Sequence, residues 1–287
     1  MGFGIAFAGG GAKGAAHVGV LKALEENGLI PTSVAGTSAG SVIAGLYSIG
    51  FSVIEMEKLI NKLSKTGLHL LDPDYKGILK TITQFATFKP ITLTGLIKGD
   101  KLEELICDLT NGKNMRDAKM RIVIPCVDLN SGSTIVYTNS LSNVKSFRNI
   151  KWSDDAPLCQ AIRASCAIPA VFKPKNMENM CLVDGGVTDV LPVDLLLSTG
   201  ENNVLAIDIS NSYMTPKKNN IIEVATHSLS IMQNRLFQYI SSGEKLLLKP
   251  KLPSDASTLN FLAMNDCMEA GYNAAMEAMP TIKALFS

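Results

Sequence analysis

Long blocks of like charge are missing from this 287-residue chain, whose formal net charge is +1. No run of one sign extends beyond two residues, as in Lys217-Lys218. Proteins that bind nucleic acids usually carry a basic patch or stripe that neutralises phosphates, and this composition provides none. We therefore expect no nucleic acid among the partners, and any membrane contact has to be hydrophobic or local. The apolar content of 46% is typical of a globular chain that buries a core.

Cysteines at the spacing of a metal site or a disulfide framework are also absent. The six cysteines are scattered, with no CxxC pair and no histidine at ligand spacing. We interpret them as reduced core thiols, which favours a cytoplasmic location, and we expect neither a metal nor any other cofactor. They are Cys107, Cys126, Cys159, Cys166, Cys181 and Cys267.

A secretion signal and a membrane-spanning segment are not evident either. The amino terminus has no basic region, and its apolar run at 3–8 leads directly into the glycines of a candidate site. The uncharged stretch 27–54 is long enough to suggest a span, but it contains five glycines and several hydroxyl side chains. We predict that this stretch forms a buried strand and helix instead.

Histidine is scarce, since the chain contains only His17, His69 and His227. A serine nucleophile usually transfers its proton to a histidine base. His17 lies close after a glycine loop, but a packed or helix-capping role suits it better. His69 lies in an apolar stretch and His227 in a long helical pattern, and neither has the context of a catalytic triad. The pattern therefore favours a carboxylate as the base.

Glycine, by contrast, is concentrated at two places where a strand-like run changes into a helix-like run. The later of the two along the chain is Gly36-Thr37-Ser38-Ala39-Gly40, which has the spacing of a nucleophile elbow. Its glycines allow a turn so sharp that the Ser38 hydroxyl is exposed at a helix amino terminus, where partial positive charge favours an anion. The same spacing also occurs in tight packing turns, so alone it does not establish catalysis.

The first glycine loop is ambiguous on its own. Its residues are Gly9, Gly10, Gly11, Ala12, Lys13 and Gly14. Gly9, Gly11 and Gly14 fit the dinucleotide fingerprint, but the second strand-like run is followed by no acidic residue that could bind a ribose. A P-loop also fails, because Lys13 is followed by Gly14 rather than by serine or threonine. What remains is a run of backbone N–H groups at Gly10 and Gly11, which suits an oxyanion.

A carboxylate at the end of another apolar run is the best candidate base. Asp184 follows the run at 181–183 and precedes Gly185 and Gly186. Such a strand end can direct a carboxylate into a cleft while the glycines leave space around it. An Asp-Gly turn without function has the same local pattern. Because a solvated aspartate is a weak base at neutral pH, catalysis would require a partly buried Asp184 with a raised pKa.

Three motifs follow one another along the chain: the glycine loop at 9–14, the elbow at 36–40 and the Asp-Gly-Gly turn at 184–186. Together they resemble the signature of the patatin-like phospholipase family. A further block at 164–174 reads Ala-Ser-Cys-Ala-Ile-Pro-Ala-Val-Phe-Lys-Pro and is similar to the Ala-Ser-x-Ala-x-Pro-x-x-Phe-x-Pro block of that family. The similarity covers about residues 3–210, and the remainder suits a small bacterial member. Lys13 occupies a position where the family often has arginine, which preserves the positive charge.

The resemblance implies acyl-ester hydrolysis by a serine–aspartate dyad, with Ser38 as nucleophile, Asp184 as general base and the first glycine loop as oxyanion hole. It implies a phospholipid, a lysophospholipid or another lipid ester as substrate. We expect a cytoplasmic protein that contacts a membrane surface transiently; whether a protein activator takes part stays open. A thioesterase or acyltransferase would use the same dyad, and a noncatalytic α/β regulatory protein is a further alternative.

Strand-like and helix-like runs alternate along the chain, which predicts an α/β fold. We expect three layers, a mainly parallel central sheet flanked by helices, in a patatin-like architecture related to that of the α/β hydrolases. A hairpin is expected at 130–132. The strand-like runs are 3–8, 120–128, 181–184, 204–209 and 245–249, and helical periodicity is clearest at 15–26, 102–109, 224–240 and 264–286.

We expect residues 1–287 to form a single acyl hydrolase domain, in which segment 68–99 is the least regular part. This segment combines many apolar residues with lysines, and Ile78, Ile82 and Phe85 recur at helical spacing. Two interpretations stay open. The segment is either a cap insertion that covers an acyl pocket and touches lipid, or an ordinary packed helical insertion.

Overall fold

A mostly parallel sheet flanked by helices forms the centre of the fold in the computed structural model, which describes residues 2–145, 147–210, 221–240 and 243–287. The strands are β1 (Gly4–Phe7), β2 (Ser33–Gly36), β3 (Gly95–Ile97), β4 (Arg121–Asp128), β5 (Ser133–Thr138), β6 (Ile150–Ser153), β7 (Ala170–Phe172), β8 (Lys175–Met177), β9 (Met180–Asp184), β10 (Val204–Ile207) and β11 (Leu246–Leu248). The helices are α1 (Ala15–Glu26), α2 (Ala39–Ser48), α3 (Val53–Thr66), α4 (Tyr75–Ala86), α5 (Asp100–Thr110), α6 (Leu158–Ser165), α7 (Val193–Leu197), α8 (Ile221–Ile240) and α9 (Met264–Phe286).

Parallel pairing dominates the sheet, whose main path runs β11-β10-β1-β2-β4-β5-β6. The pairs β1–β2, β1–β10, β10–β11, β2–β4 and β5–β6 are parallel, whereas β4–β5, β4–β9 and β8–β9 are antiparallel. β3 and β7 form a separate parallel ribbon. The predicted hairpin at 130–132 joins β4 to β5. The α/β fold with a mainly parallel sheet is therefore confirmed.

The central strands and the longest helices form where the hydrophobic pattern predicts them. β1 and β2 are buried along their whole length, as expected for strands covered on both faces. The predicted helices at 15–26 and 264–286 coincide with α1 and α9, which pack against each other. Residues 27–54 form β2 and α2, as predicted. None of the helices in the described ranges has the length and apolar character needed to cross a membrane.

Strand β4 has two different partners on one of its edges. β5 occupies the other edge from Val123 to Asp128. On the shared edge, β2 pairs in parallel as far as Val123, and β9 pairs antiparallel from Asp128 back to Cys126. The carboxyl ends of β2 and β9 therefore point towards each other. The gap between them is the β4 segment from Val123 to Cys126, roughly 10 Å of strand.

The expectation that the cysteines are all reduced is wrong. Cys107 on α5 and Cys159 on α6 form a disulfide across a sequence separation of 52. Spacing could not reveal this bond, because it joins two helices that become neighbours only in the fold. The bond also removes the support that reduced thiols gave to a cytoplasmic location. The free thiols are Cys126, Cys166, Cys181 and Cys267.

We predict that replacing Cys107 with serine lowers the free energy of unfolding by about 2–4 kcal/mol, because the bond restricts the unfolded chain. Thermal unfolding with and without a dithiol reductant measures the effect. The reductant should lower the midpoint of the wild type and leave that of Cys107→Ser unchanged.

Cys181→Ser is the matched control, because Cys181 is a half-buried free thiol. Alkylation of the denatured protein should modify four thiols before reduction and six after it. Six modified thiols without reductant would show that the bond does not form.

Candidate active site

Ser38 lies in a sharp turn between β2 and α2. Its backbone φ of 52° is a left-handed value that residues other than glycine rarely adopt, and such a conformation stores strain. Hydrogen bonds within the turn stabilise it. Ser41 Oγ donates to the Ser38 carbonyl at 2.6 Å, and the Gly40 amide donates to the Thr37 carbonyl at 2.8 Å. A Cβ on Gly40 would collide with the Phe7 carbonyl of β1, so the close approach of α2 to β1 requires glycine.

The first glycine loop lies directly against this turn. A Cβ added to Gly9 would be 3.2 Å from Ser38 Cβ, and one added to Gly14 would be 2.7 Å from Ala39 Cβ. These contacts place the loop beside the Ser38 hydroxyl. The two motifs therefore meet, although a whole helix separates them in the sequence.

The loop holds two backbone amides ready for an acceptor. The amides of Gly9 and Ala12 donate to backbone carbonyls, each at 2.9 Å. Between them, the amides of Gly10 and Gly11 donate to no backbone acceptor in the part of the chain that the structure describes. Gly11 has a φ of 60°, which glycine adopts without strain. Amides that are fixed in this way could stabilise a negative oxygen close to Ser38.

Asp184 ends β9 with a buried side chain that is 5% exposed. Burial raises its pKa to about 6, while hydrogen bonds from the Gly186 amide, at 2.8 Å, and from the Ser38 side chain act in the opposite direction. The raised pKa expected from the sequence is therefore confirmed. At pH 7 such a carboxylate is mostly ionised and can accept a proton. A Cβ on Gly185 would collide with the Pro125 carbonyl, so the strand end packs tightly against β4.

Ser38 and Asp184 meet because β2 and β9 end opposite each other on β4. The Ser38 side chain is close enough to the Asp184 carboxyl group to lower its pKa. Thr37 Oγ1 donates to the Asp189 carbonyl at 2.9 Å, which connects the elbow to the chain just after Asp184. The two side chains that the motifs pair therefore lie near each other, and their action as a dyad stays a prediction.

The block at 164–174 binds the backbone amides of both residues, a role that the sequence did not reveal. The Ser38 amide donates to Ser165 Oγ at 3.0 Å, and Ser165 Oγ donates to the Pro125 carbonyl at 2.8 Å. The Ala167 carbonyl accepts a hydrogen bond from the Asp184 amide at 3.0 Å. The available signal was a serine at the end of an otherwise largely apolar helix within the fourth family-like block.

An apolar cavity of about 140 Å³ opens beside Ser38. Its walls come from the glycine loop, from α2, α3 and α5, and from β7 and the chain before α9. Apolar side chains form nearly all of its lining, so the cavity suits an acyl chain better than a polar group. The lining includes Gly11, Ser38, Val42, Leu59, Leu63, Leu70, Leu71, Leu102, Leu105, Ile106, Leu109, Ile168, Phe172 and Phe261.

Arg163 holds one wall of this cavity in place. Its buried guanidinium donates to the carbonyls of Gly99, Lys98 and Lys173 at 2.7–3.0 Å. It also lies over the Phe172 ring, 5.5 Å from its centroid. The β3–β7 ribbon is thereby fixed to α6. An arginine within an apolar helical pattern was a signal for such a role.

The histidines have the structural roles that the sequence favours. His17 is fully buried, and its Nε2 donates to the Ala8 carbonyl at 2.9 Å. Burial lowers the pKa of His17 to about 4, so its ring is neutral at pH 7. His69 is exposed in the turn after α3, and His227 lies 4.0 Å from Glu223 on α8.

Two further ionisable side chains flank the candidate site. Burial lowers the pKa of Lys13, and the attraction of Asp208 opposes that shift. Burial raises the pKa of the Cys166 thiol, which lines the cavity, to about 12, so it is protonated and not a competing nucleophile. Within the described ranges, no group of three or more histidine, cysteine, aspartate or glutamate side chains is arranged to hold a metal ion.

Sequence comparison relates the chain to lipid-hydrolase sequences. The sequence model of the patatin-like phospholipase family matches residues 5–197. YqhO, an uncharacterised protein of Bacillus subtilis, is 32% identical over 224 residues, covering 74% of this chain and 73% of that protein. The lysophospholipase NTE1 of Mycosarcoma maydis is 26% identical over 211 residues, covering 74% of this chain but only 10% of the longer relative.

Structural comparison supports the same architecture. The crystal structure of VipD from Legionella pneumophila superposes with a TM-score of 0.52, covering 98% of this chain and 67% of that one. The sequence identity of the pair is 15%, so this likeness concerns the fold alone.

We predict that replacing Asp184 with asparagine raises the free energy of unfolding at pH 7 by up to about 3 kcal/mol. Burial raises the pKa of the carboxyl group from 3.8 to about 6, and each pKa unit corresponds to about 1.4 kcal/mol. The folded protein thus binds this proton more tightly than the unfolded chain does. The gain should be absent below about pH 4, grow between about pH 4 and 6, and stay constant above that range.

Urea unfolding of both proteins across this pH range measures the difference. Asp108→Asn, at an exposed position on α5, is the control for the loss of one aspartate charge. An Asp184→Asn protein that is less stable than the wild type at pH 7 would contradict the assigned pKa.

Proposed function

This chain belongs to the patatin-like phospholipase family, and we propose that it hydrolyses lipid acyl esters through a dyad of Ser38 and Asp184. The observation that supports the proposal is a buried carboxyl group, with a pKa raised to about 6, that lies near the Ser38 side chain and beside an apolar cavity. A phospholipid, a lysophospholipid or another lipid ester is the substrate class that the family and the cavity support.

Acylation begins when Ser38 Oγ attacks the ester carbonyl carbon while its proton passes to Asp184. The carbonyl electron pair moves to oxygen, and the amides of Gly10 and Gly11 donate hydrogen bonds to that oxyanion. Each such donor contributes roughly 3–4 kcal/mol of transition-state stabilisation. As the tetrahedral intermediate collapses, the alcohol takes the proton from Asp184 and leaves, and the acyl group remains on Ser38.

Deacylation repeats these steps with water. Asp184 accepts a proton from the water molecule as its oxygen attacks the acyl carbon, and the same amides hold the second oxyanion. Collapse releases the carboxylic acid and returns the proton to Ser38 Oγ. The acyl chain occupies the apolar cavity throughout, where it excludes bulk water from all but the reacting end.

We also propose that residues 1–287 work as one catalytic domain and that segment 68–99 is a cap over the acyl cavity. Leu70 and Leu71 from this segment line the cavity. The β3 strand of the segment pairs with β7, which carries Phe172 into the same wall. The enzyme meets its lipid as a peripheral protein in transient contact with a membrane.

A thioesterase or an acyltransferase would use the same dyad and oxyanion site. Activity towards a panel of phospholipid, lysophospholipid, short-chain ester and thioester substrates distinguishes these reactions. Acyl transfer to an added alcohol would identify an acyltransferase.

We predict that Ser38→Ala and Asp184→Asn each lower the turnover of a soluble short-chain ester by about a thousandfold or more. The losses should be similar, because the two side chains act as one unit. Ester hydrolysis is the measurement, and mass spectrometry should find a fluorophosphonate probe on Ser38. The wild-type rate should fall as the pH drops below about 6, because protonated Asp184 cannot act as base.

Ser142→Ala is the matched control, since Ser142 is exposed and lies outside the site. Absence of probe from Ser38, together with ester turnover that survives Ser38→Ala, would rule out the dyad. An acidic limb near about pH 4 would contradict a buried base.

We predict that Ser165→Ala lowers kcat about 10- to 100-fold while KM changes by less than about twofold, because a small displacement of a nucleophile slows reaction more than binding. The Ser165 hydroxyl accepts a hydrogen bond from the Ser38 amide and donates one to the Pro125 carbonyl, which connects Ser38 to β4. Steady-state kinetics on the short-chain ester separate the two constants.

Ser165→Thr keeps the hydroxyl and should recover part of kcat. An equal loss in Ser165→Thr and Ser165→Ala, accompanied by equal loss of stability, would show that Ser165 only fills space.

A further inference from the structure

Helix α4 is amphipathic, but its apolar side faces away from the protein. Four large apolar side chains fall within an arc of about 120° on the helix. They are Tyr75, Leu79, Ile82 and Phe85, which are 62–76% exposed. A helix that packed on the core would bury this side.

The side of α4 that faces the protein is small and polar instead. Gln84, on that side, is only 8% exposed. Its amide exchanges hydrogen bonds with Thr92, since Nε2 donates to Thr92 Oγ1 and Oε1 accepts from the Thr92 amide, each at 3.2 Å. Gly77 faces Asp74 and Leu93 so closely that a Cβ would collide with the Asp74 carboxyl group. These contacts fix which way the helix faces.

The apolar surface extends beyond α4. Phe88 is 98% exposed and Ile91 is 58% exposed in the chain that follows. We call Tyr75, Leu79, Ile82, Phe85, Phe88 and Ile91 the outer apolar surface. Exposed aromatic and aliphatic side chains in such number on one segment indicate a binding surface rather than chance exposure.

The stretch that carries the outer apolar surface contains basic side chains and no acidic ones. The stretch 75–99 contains four lysines and no aspartate or glutamate, whereas the whole chain has a net charge of only +1. The lysines are Lys76, Lys80, Lys89 and Lys98. The first three are exposed.

The two carboxylates that directly precede α4 in the sequence are already engaged. Asp74 pairs with Lys173 at 2.6 Å, and Asp72 accepts the amides of Gly99 and Asp100 at 2.8 and 3.0 Å. Basic side chains beside exposed apolar ones suit a surface that is both anionic and apolar, which is the character of an anionic bilayer interface.

The outer apolar surface belongs to the segment that also forms part of the cavity wall. Leu70 and Leu71 precede α4 and line the cavity, and β3 follows it and pairs with β7 of the same wall. A bilayer bound to α4 would therefore adjoin the cavity that contains Ser38.

We propose that the outer apolar surface docks the protein onto anionic lipid bilayers. Tyr75, Leu79, Ile82 and Phe85 enter the boundary between headgroups and acyl chains, while Lys76 and Lys80 meet anionic headgroups. The docking supplies the lipid ester, and in this sense the inference rests on the proposed function. The occupant is a lipid surface; a second copy of the chain is the competing occupant that the experiment tests.

The experiment uses the full-length Ser38→Ala protein, so that vesicles stay intact during the measurement. Co-sedimentation is measured with vesicles of phosphatidylcholine and with vesicles that also contain phosphatidylglycerol. We expect binding to the anionic vesicles to fall more than tenfold in an Ile82→Gln, Phe85→Gln variant. Lys76→Gln and Lys80→Gln should each weaken it about fivefold and reduce its sensitivity to salt.

The matched control is Ile30→Gln with Ile54→Gln, which changes two exposed isoleucines outside segment 68–99 and should not alter binding. In an otherwise wild-type chain, the α4 substitutions should leave thermal unfolding and soluble-ester turnover unchanged, because the side chains concerned lie outside the site. An equal loss of binding in the control variant would overturn the assignment to α4.

The outcomes separate docking from catalysis. A protein that hydrolyses the soluble ester but does not bind anionic vesicles disproves docking and leaves the proposed function intact. Vesicle binding that depends on α4, without ester hydrolysis in the wild type, disproves the function and leaves docking intact. Sedimentation velocity that reveals a dimer which the α4 substitutions dissociate, with no vesicle binding, would assign the surface to a second copy.

Discussion

The shared edge of β4 is the constraint on which the candidate site depends. β2 reaches Val123 from one end and β9 reaches Cys126 from the other, so the turns after both strands enter one narrow gap. Backbone pairing leaves little freedom there, because a slip of one residue would turn every side chain of the strand to the opposite face. Ser38 and Asp184 therefore approach each other as a consequence of sheet register. Ser165 and Ala167 then bind the backbone amides of the two residues.

Burial in that gap also sets the pKa of the Asp184 carboxyl group. An exposed aspartate would be too weak a base at neutral pH, whereas a completely isolated one would remain protonated. Asp184 lies between these extremes, because burial raises its pKa and the Gly186 amide and the Ser38 side chain limit the rise to about 6. The buried charge lowers the stability of the folded protein at neutral pH, and in the function we propose the same carboxylate is the base. The left-handed backbone of Ser38 is a second local strain, in the turn between β2 and α2.

Segment 68–99 contributes to the cavity wall on its inner side and carries the outer apolar surface on its outer side. Arg163 fixes the β3–β7 ribbon to α6, and the Cys107–Cys159 disulfide joins α6 to α5, which lines the cavity. These links make the inner wall firm. On the outer side, α4 presents apolar and basic side chains to the surroundings. Our two proposals connect these sides, since a lipid bound outside would lie next to the space for its acyl chain.

Local features of this protein could be predicted from the sequence because they depend on near neighbours. Periodicity within single helices determined α1 and α9, and glycine spacing determined the two tight turns that contain the candidate nucleophile and amides. The need for a working base predicted the raised pKa of Asp184. The helical spacing in segment 68–99 likewise predicted α4, but not the direction that its apolar side faces.

Tertiary structure alone decided the features that join distant segments. Pairing of β2 and β9 on one strand, the support of Ser38 by Ser165, and the disulfide between α5 and α6 all link residues whose spacing carries no signal. The orientation of α4 depends on Gln84, whose partners lie in the following loop. Such contacts form only when the chain closes its long loops, and their geometry is set by the register and packing of the whole fold rather than by any short stretch of residues.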